Sequence, residues 1–302
     1  MTVRLAALLT AAALGVLLPA PAGAAPVALP VPYDLPDPSI VELANPGGSA
    51  PGSNDWTCRP SKTRPEPVVL VHNSSGNRQI AWQTFAPLLA NEGYCVFALT
   101  FGAPAAPWPV SAVGGLGPIA RSAQELSDFV DHVLAETGAG KVDLLGHSQG
   151  TLVSAYWVRH VGGATKVDQV VGLAPLWQGA DVFPTLDLPQ EIAESGSARP
   201  AFEAACPACQ EMRPGSSFLR TFNEDGPFAE GVRYTNVLTT HDDVVVPYTN
   251  GRAEGPNVTN IVLQDICRPA LTSHLEMLAD RLTASLVLAE LDATRSPPTG
   301  CQ

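Results

Sequence analysis

Lysine is scarce in this chain, with three residues among 302. Basic residues number 17 against 29 acidic ones, which makes the formal net charge −12, and no segment interleaves basic with aromatic side chains. A surface that binds nucleic acid needs clustered positive charge, so nucleic acid is not expected as a partner. The acidic balance favours solubility and does not indicate a substrate.

Long apolar runs are absent after the N-terminal residues. No later segment has about eighteen unbroken apolar residues, so no membrane-spanning helix is expected there. At the N-terminus, Arg4 precedes an apolar run of about fourteen residues, and Ala22-Gly23-Ala24 follows that run. This arrangement predicts a secretory signal peptide over residues 1–24, cleaved near Ala24, rather than an uncleaved membrane anchor. The mature protein is therefore expected to be soluble and extracellular, without stable membrane insertion.

Cysteine is also infrequent, but six residues in an exported chain are typical of disulfides rather than metal ligands. Of the fifteen possible connectivities, the sequence favours the sequential one, which joins Cys58 to Cys95, Cys206 to Cys209 and Cys267 to Cys301. The CPAC segment also fits the CxxC pattern of redox or metal sites. No second CxxC and no nearby histidine pair supports that alternative, so no metal site is expected.

The mature chain divides into two sections. Residues 25–65 are rich in proline and glycine and predict an extended N-terminal arm. Residues 66–302 contain six short apolar runs typical of strands buried on both faces. These runs are PVVLVHN, YCVFALTF, KVDLLGHS, VDQVVGLAP, VRYTNVLTT and TNIVLQDI. Segments with helical spacing alternate with them, including one long final helix over residues 271–294, which predicts a mostly parallel sheet with helices on both faces.

One region interrupts the alternation of strands and helices. Residues 177–231 carry prolines, glycines and short helical patterns in place of the next crossover. A long insertion in a compact domain is more often functional than idle. We predict that this region is a lid-like insertion after the sixth strand.

The segment LLGHSQG places Ser148 between Gly146 and Gly150, after a predicted strand and before a predicted helix. Sites in open parallel sheets form at the carboxyl ends of the strands. A sharp turn there brings both glycines too close to the chain for a side chain and exposes the serine hydroxyl. The pattern indicates a nucleophile; a small residue in a tight turn is the alternative.

A serine nucleophile needs a base and an orienting carboxylate. Four histidines are not expected to act as the base. His132 and His160 lie in predicted helices, His72 shapes the loop after the first strand, and His147 points away from Ser148. His241 and His274 remain as candidates. His274 follows the last predicted strand, where a loop runs into the final helix, and is the predicted base. Neighbouring residues at a strand end face opposite ways, so Asp242 and Asp243 cannot both point at it. Asp242 is the predicted orienting carboxylate, because the order Ser148, Asp242, His274 is the chain order of an α/β-hydrolase. Asp243 is the main alternative for this role. Both acids could also be solvated in a turn without any role in catalysis.

Attack on an ester carbonyl creates a negative oxygen that needs preorganised N–H donors. The backbone N–H of Gln149, directly after the serine, is one natural donor. The second is expected from the loop HNSSGN, at Ser74. Alternatively, this loop is a simple turn that supplies no donor.

Together these segments resemble the secreted bacterial class 2 lipases of the α/β-hydrolase superfamily. The matching segments extend over nearly the whole mature chain: VLVHNSSGN, GGLGPIARSAQELSDFVDHVL, KVDLLGHSQG, VVGLAPLW, TTHDDVVVPYTNG and TSHLEM. The resemblance implies the same site residues: Ser148 as nucleophile, Asp242 as acid, His274 as base, and Ser74 with Gln149 as oxyanion donors. It also implies the sequential disulfides and no cofactor. The chain departs from the family pattern at Asn73 and Thr151, where glycine is usual or frequent.

The sequence therefore predicts a secreted serine hydrolase of carboxylic esters, in particular a triacylglycerol lipase that acts through an acyl-enzyme. Its acyl pocket is expected to be lined by residues 108–116 and by the insertion over residues 177–231. Acyl transfer to another alcohol or hydrolysis of a polymeric ester would use the same residues, and a non-catalytic binding module is a further alternative. The expected partner is a lipid or other ester at an oil–water interface, and the protein is expected to be a monomer.

Overall fold

The six apolar runs form one parallel sheet, because their branched side chains pack on both faces. The computed structural model describes residues 27–183, 196–224 and 226–302, so the predicted signal peptide lies outside the described residues. The strands are β1 Val68–Val71, β2 Val96–Ala98, β3 Val142–His147, β4 Val167–Leu173, β5 Arg233–Leu238 and β6 Val258–Val262. They lie in the order β2-β1-β3-β4-β5-β6, and all neighbouring pairs are parallel. The predicted parallel sheet is confirmed.

Strand residues alternate between two apolar cores, one on each face of the sheet. In β1, Val69 and Val71 belong to the first core, and Val68 and Leu70 belong to the second. All four side chains are fully buried. Successive side chains point to opposite faces, so a strand that is covered on both faces is apolar at every position.

Helices cover both faces of the sheet, as predicted. They are α1 Pro38–Ala44, α2 Phe85–Asn91, α3 Ile119–Thr137, α4 Gln149–His160, α5 Ala198–Ala205, α6 Pro207–Glu211, α7 Ser217–Asn223, α8 Leu263–Ile266 and α9 Arg281–Leu291. Short 3₁₀ helices lie at Ile80–Trp82, Val110–Ala112, Gly163–Thr165, Tyr248–Gly251 and Glu276–Leu278. Leu126 of α3 packs in the first core and Leu286 of α9 in the second. Within the part of the chain that the structure describes, no helix is both long and apolar enough to cross a bilayer.

Two details of the predicted elements are wrong. The insertion over residues 177–231 follows β4 rather than the sixth strand, because the described residues before β1 add no strand to the sheet. The final helix begins at Arg281 rather than near residue 271. Asp280 is extended there and caps α9, because its side chain accepts a hydrogen bond from the N–H of Thr283.

The N-terminal arm is fastened to the sheet and is not extended throughout. Asp37 caps α1 by accepting from the N–H of Ser39, and Pro38 occupies the first helical position, so a short helix forms within the arm. Disulfides join the cysteines in the predicted sequential order: Cys58 to Cys95, Cys206 to Cys209 and Cys267 to Cys301. The first ties the arm to the start of β2, and the third ties the C-terminus to the end of α8.

Asp143 is a buried carboxyl near the start of β3. Its side chain is 3% exposed, and one oxygen accepts from Gln169, its pairing partner on β4, over 3.2 Å. The other oxygen has no hydrogen-bond partner among the described residues. Burial raises the pKa of Asp143 to about 7, because the charged form is poorly solvated there.

We expect Asp143→Asn to stabilise the protein at pH 8 but not at pH 4. The folded-state pKa lies above the unfolded one, so wild-type stability falls as the pH rises from about 4 to about 7, and the loss persists above that range. The uncharged amide removes this cost, so the free energy of unfolding at pH 8 should rise by up to about 4 kcal/mol. Urea unfolding of both proteins at the two pH values measures the difference. An equal change at both pH values would contradict the buried-charge explanation.

Candidate active site

Ser148 lies in a sharp turn between the carboxyl end of β3 and the first residue of α4. Its φ of 53° and ψ of −121° are strained for a residue other than glycine. Its N–H donates to the carbonyl of Leu173 on β4, and its carbonyl accepts from the N–H of Thr151, both over 2.9 Å. The turn therefore fixes Ser148 at the N-terminal end of α4, where the helix dipole favours negative charge.

Gly146 and Gly150 allow two segments of backbone to approach closely beside this turn. A Cβ atom on Gly150 would lie 1.9 Å from the carbonyl oxygen of Val71 in β1. A Cβ atom on Gly146 would lie 3.1 Å from the backbone of Gly150. Any side chain at position 150 would push α4 away from β1, so the spacing of glycines around Ser148 has a steric cause.

The carboxylate of Asp242 holds the ring of His274. Nδ1 of His274 lies 2.9 Å and 3.0 Å from the two Asp242 oxygens, and each side chain is only 3% exposed. One of these oxygens also accepts from the N–H groups of Val244 and Val245, over 3.0 Å and 2.7 Å. The backbone thus fixes the carboxylate, and the carboxylate orients the ring. A proton on Nδ1 leaves the lone pair of Nε2 available as a base.

Asp243 binds a different part of the same residue. Its carboxylate accepts a hydrogen bond from the backbone N–H of His274 over 3.1 Å. Both acids lie in a loop, because β5 ends at Leu238, so the alternation along a strand does not govern their directions. Asp242 contacts the ring, and Asp243 holds the main chain.

His147 supports His274 through a contact that was not predicted from the sequence. Its Nε2 donates to the carbonyl of His274 over 3.0 Å, and the two ring centroids lie 4.8 Å apart. Burial lowers the pKa of His147 well below its usual range, and the neighbouring His274 lowers it further. A neutral ring therefore positions the main chain of His274. The sequence feature that could have indicated this contact is the position of His147 at the end of a strand, directly before Ser148.

Ser74 and Gln149 are joined by their side chains. The Ser74 hydroxyl donates to Oε1 of Gln149 over 2.8 Å, and Nε2 of Gln149 donates to the carbonyl of Gly115 over 2.9 Å. The next N–H along the loop, that of Ser75, donates to the carbonyl of Gly114 over 3.0 Å. By contrast, the backbone N–H groups of Ser74 and Gln149 donate to no group among the described residues. The side-chain bond joins the two residues that carry these donors.

His72 stabilises the loop that carries Ser74. Its Nδ1 donates to the carbonyl of Asn73 over 2.7 Å, and its Nε2 accepts from the N–H of Phe101 over 3.1 Å. Complete burial lowers the pKa of His72 to about 4. The ring is therefore neutral at physiological pH, which preserves both hydrogen bonds.

Ser148 and His274 line a common cavity of about 660 Å³, a size typical of small-molecule sites. Its apolar lining comes from the arm, the 3₁₀ helix after β1, the insertion and the loops around His274: Leu35, Pro36, Pro38, Ile80, Ala81, Val182, Phe202, Cys209, Val244, Leu275 and Leu278. The Ser148 hydroxyl forms no hydrogen bond with any described residue. Such bonds often tighten only when substrate binds. Among residues 27–183, 196–224 and 226–302, no cluster of three or more His, Cys, Asp or Glu side chains could hold a metal ion.

The lining differs from the predicted acyl pocket. Residues 108–116 do not line the cavity, because Trp108 contacts the arm, where its indole N–H donates to Glu42 over 3.1 Å. Within the same segment, the carbonyl of Gly115 instead accepts a hydrogen bond from the side chain of Gln149, which also binds the Ser74 hydroxyl. The insertion contributes three described lining residues: Val182, Phe202 and Cys209.

A family model described as "Lipase (class 2)" matches residues 65–284 of this chain. Two triacylglycerol lipases, from Pseudarthrobacter phenanthrenivorans and Burkholderia plantarii, are each 36% identical to it over 99 residues. The match covers 30% of this chain and 27% and 24% of those two proteins, about a quarter of their length.

Solved structures share the fold at low sequence identity. Aspergillus fumigatus lipase B superposes with a TM-score of 0.61 at 17% identity, over 83% of this chain and 56% of the lipase. The mature form of Bacillus licheniformis lipase BlEst2 superposes with a TM-score of 0.53 at 14% identity, over 82% of this chain and 96% of the lipase. The predicted α/β-hydrolase fold is thereby confirmed.

Proposed function

Since the chain belongs to the class 2 lipase family, we propose that it is a secreted serine hydrolase of carboxylic esters whose substrates are triacylglycerols. The observation that carries the proposal is the imidazole of His274, held by Asp242 in the cavity that Ser148 also lines. Three disulfides support export, because disulfides persist in oxidising compartments.

In the proposed first step, Oγ of Ser148 attacks the ester carbonyl carbon while Nε2 of His274 takes the hydroxyl proton. The negative Asp242 carboxylate stabilises the resulting imidazolium and keeps its Nδ1–H in place. The strained turn serves this step because the serine is held in position before substrate arrives.

The tetrahedral intermediate carries a negative charge on the former carbonyl oxygen. We assign its stabilisation to the backbone N–H groups of Ser74 and Gln149, whose side chains are hydrogen-bonded to each other. Preorganised donors act strongly here because they need no reorientation when the charge develops. The N-terminal end of α4 adds a favourable dipole.

Collapse of the intermediate breaks the ester C–O bond. The leaving alcohol takes the proton from His274, and the acyl group stays on Ser148. A water molecule then attacks the acyl-enzyme, with His274 again as base, and release of the carboxylic acid restores the serine hydroxyl. Another alcohol in place of water would give acyl transfer.

The direct test measures initial rates with p-nitrophenyl butyrate, tributyrin and triolein, below and above the solubility limit of each substrate, with and without added alcohols. We expect hydrolysis of all three esters, with free carboxylic acid as the main product. Absence of hydrolysis with every ester would refute the proposed function. If the main product is instead a new ester formed with the added alcohol, the protein is an acyltransferase rather than a hydrolase.

A further inference from the structure

The N-terminal arm is described from residue 27 onward, and up to residue 64 it lies before the segment that the lipase family model matches. It nevertheless forms part of the cavity wall. Leu35, Pro36 and Pro38 line the same cavity as Ser148 and His274. This part of the cavity wall therefore lies outside the segment that matches the family model.

Hydrogen bonds hold the start of the arm against α2 and the residues before it. The backbone N–H and carbonyl of Leu29 pair with the side-chain amide of Asn91, over 2.8 Å and 2.9 Å. The hydroxyl of Thr84 donates to the carbonyl of Pro32 over 2.6 Å. These contacts bracket the segment that leads to Leu35.

Glu42 holds the later part of the arm, in α1. One of its carboxylate oxygens accepts from the side-chain amide of Asn77 over 2.7 Å, and the other accepts from the indole N–H of Trp108 over 3.1 Å. Asn77 is 3% exposed and is the last residue of the loop that carries Ser74. The arm is therefore held on both sides of residues 35–38, so this stretch is a built wall of the cavity.

The arm lies beside the loop that carries His274. The guanidinium of Arg281 stacks 4.0 Å from the centre of the Tyr33 ring. Leu35 also shares a smaller surface depression with Leu271 and Thr272, just before His274. The insertion is anchored elsewhere, for example through the bond from the N–H of Ala208 to the carbonyl of Leu116.

We propose that the arm residues 35–38 bind the alcohol portion of the ester, and that Leu35 sets the preference for the size of that alcohol. The inference rests on the proposed function. His274 must give its proton to the leaving alcohol oxygen, so the alcohol portion lies beside the imidazole and meets the wall next to it. An apolar side chain there favours a long alkyl group through the apolar surface that the complex buries.

The test compares Leu35→Ala with wild type on three esters: ethyl butyrate, octyl butyrate and ethyl octanoate. Leu35 is 45% exposed, so the truncation leaves the core intact. We expect the ratio of kcat/KM for octyl butyrate to that for ethyl butyrate to fall about fivefold. The ratio for ethyl octanoate to ethyl butyrate should stay within about twofold of wild type. Ile40→Ala, on the same arm but 67% exposed and outside the cavity lining, is the matched control and should change neither ratio.

Three results would overturn this inference: unchanged ratios in Leu35→Ala, a change confined to the acyl series, or an equal change in Ile40→Ala. Each presupposes that wild type hydrolyses the esters. If wild type hydrolyses none of them, the proposed function fails instead, and the two failures are therefore distinguishable.

Discussion

Ser148→Ala is expected to lower kcat for p-nitrophenyl butyrate by a factor of about 10⁴ to 10⁶, because it removes the oxygen that forms the acyl-enzyme. Alanine keeps the Cβ atom of serine, so the strain at φ 53° is unchanged and the fold should be retained. Circular dichroism and urea unfolding check the fold, and rates are compared at saturating substrate. The acyl-enzyme itself can be sought by mass spectrometry after rapid acid quenching.

Ser122→Ala is the matched control for that experiment. Ser122 is another buried serine, in α3, and its hydroxyl has no hydrogen-bond partner among the described residues. Its truncation should leave kcat unchanged. Activity retained in Ser148→Ala, or lost equally in Ser122→Ala, would refute a nucleophilic role for Ser148.

Asp242→Asn is expected to lower kcat by about 10⁴, whereas Asp243→Asn should change it by less than about tenfold. An amide at position 242 can still accept from the N–H groups of Val244 and Val245, so the loop is preserved. It cannot stabilise a charged imidazolium, and it permits the wrong tautomer of His274. At position 243, the amide oxygen still accepts from the backbone N–H of His274.

The two asparagine variants control for each other, because the residues are adjacent and each change removes one charge. Rates at saturating substrate across pH 6 to 9 compare them. A larger loss in Asp243→Asn than in Asp242→Asn would exchange their roles. Equal small losses would contradict the participation of any carboxylate in orienting His274.

Much of the fold could be predicted because it depends on local patterns. A strand covered on both faces must be apolar throughout, so β1 and β3 are recognisable without any knowledge of their neighbours. The glycines around Ser148 are likewise a local steric requirement, and the contact between Gly150 and β1 explains their spacing. The predicted start of the last helix was wrong because Asp280 caps the helix at that point, although the helical spacing of apolar residues continues before it.

The candidate site was less predictable because its contacts join residues far apart in the chain. Alternation along a strand could not distinguish Asp242 from Asp243, since both lie beyond the end of β5 in a loop. His147 was expected to point away from the site, and its bond to the main chain of His274 crosses 127 residues. The arm was expected only to be extended, and no periodicity indicates that Leu35 lines the cavity.

By itself, the sequence determined which segments form strands, where the chain turns at Ser148, and which six cysteines are available to pair. Each of these depends on side-chain volume, polarity or spacing within a few residues. Only the tertiary structure decided which acid reaches the His274 ring, which side chains enclose the cavity, and that the arm is one of its walls. Those outcomes depend on how loops from separate strands meet at one edge of the sheet, and local pattern does not encode that distance.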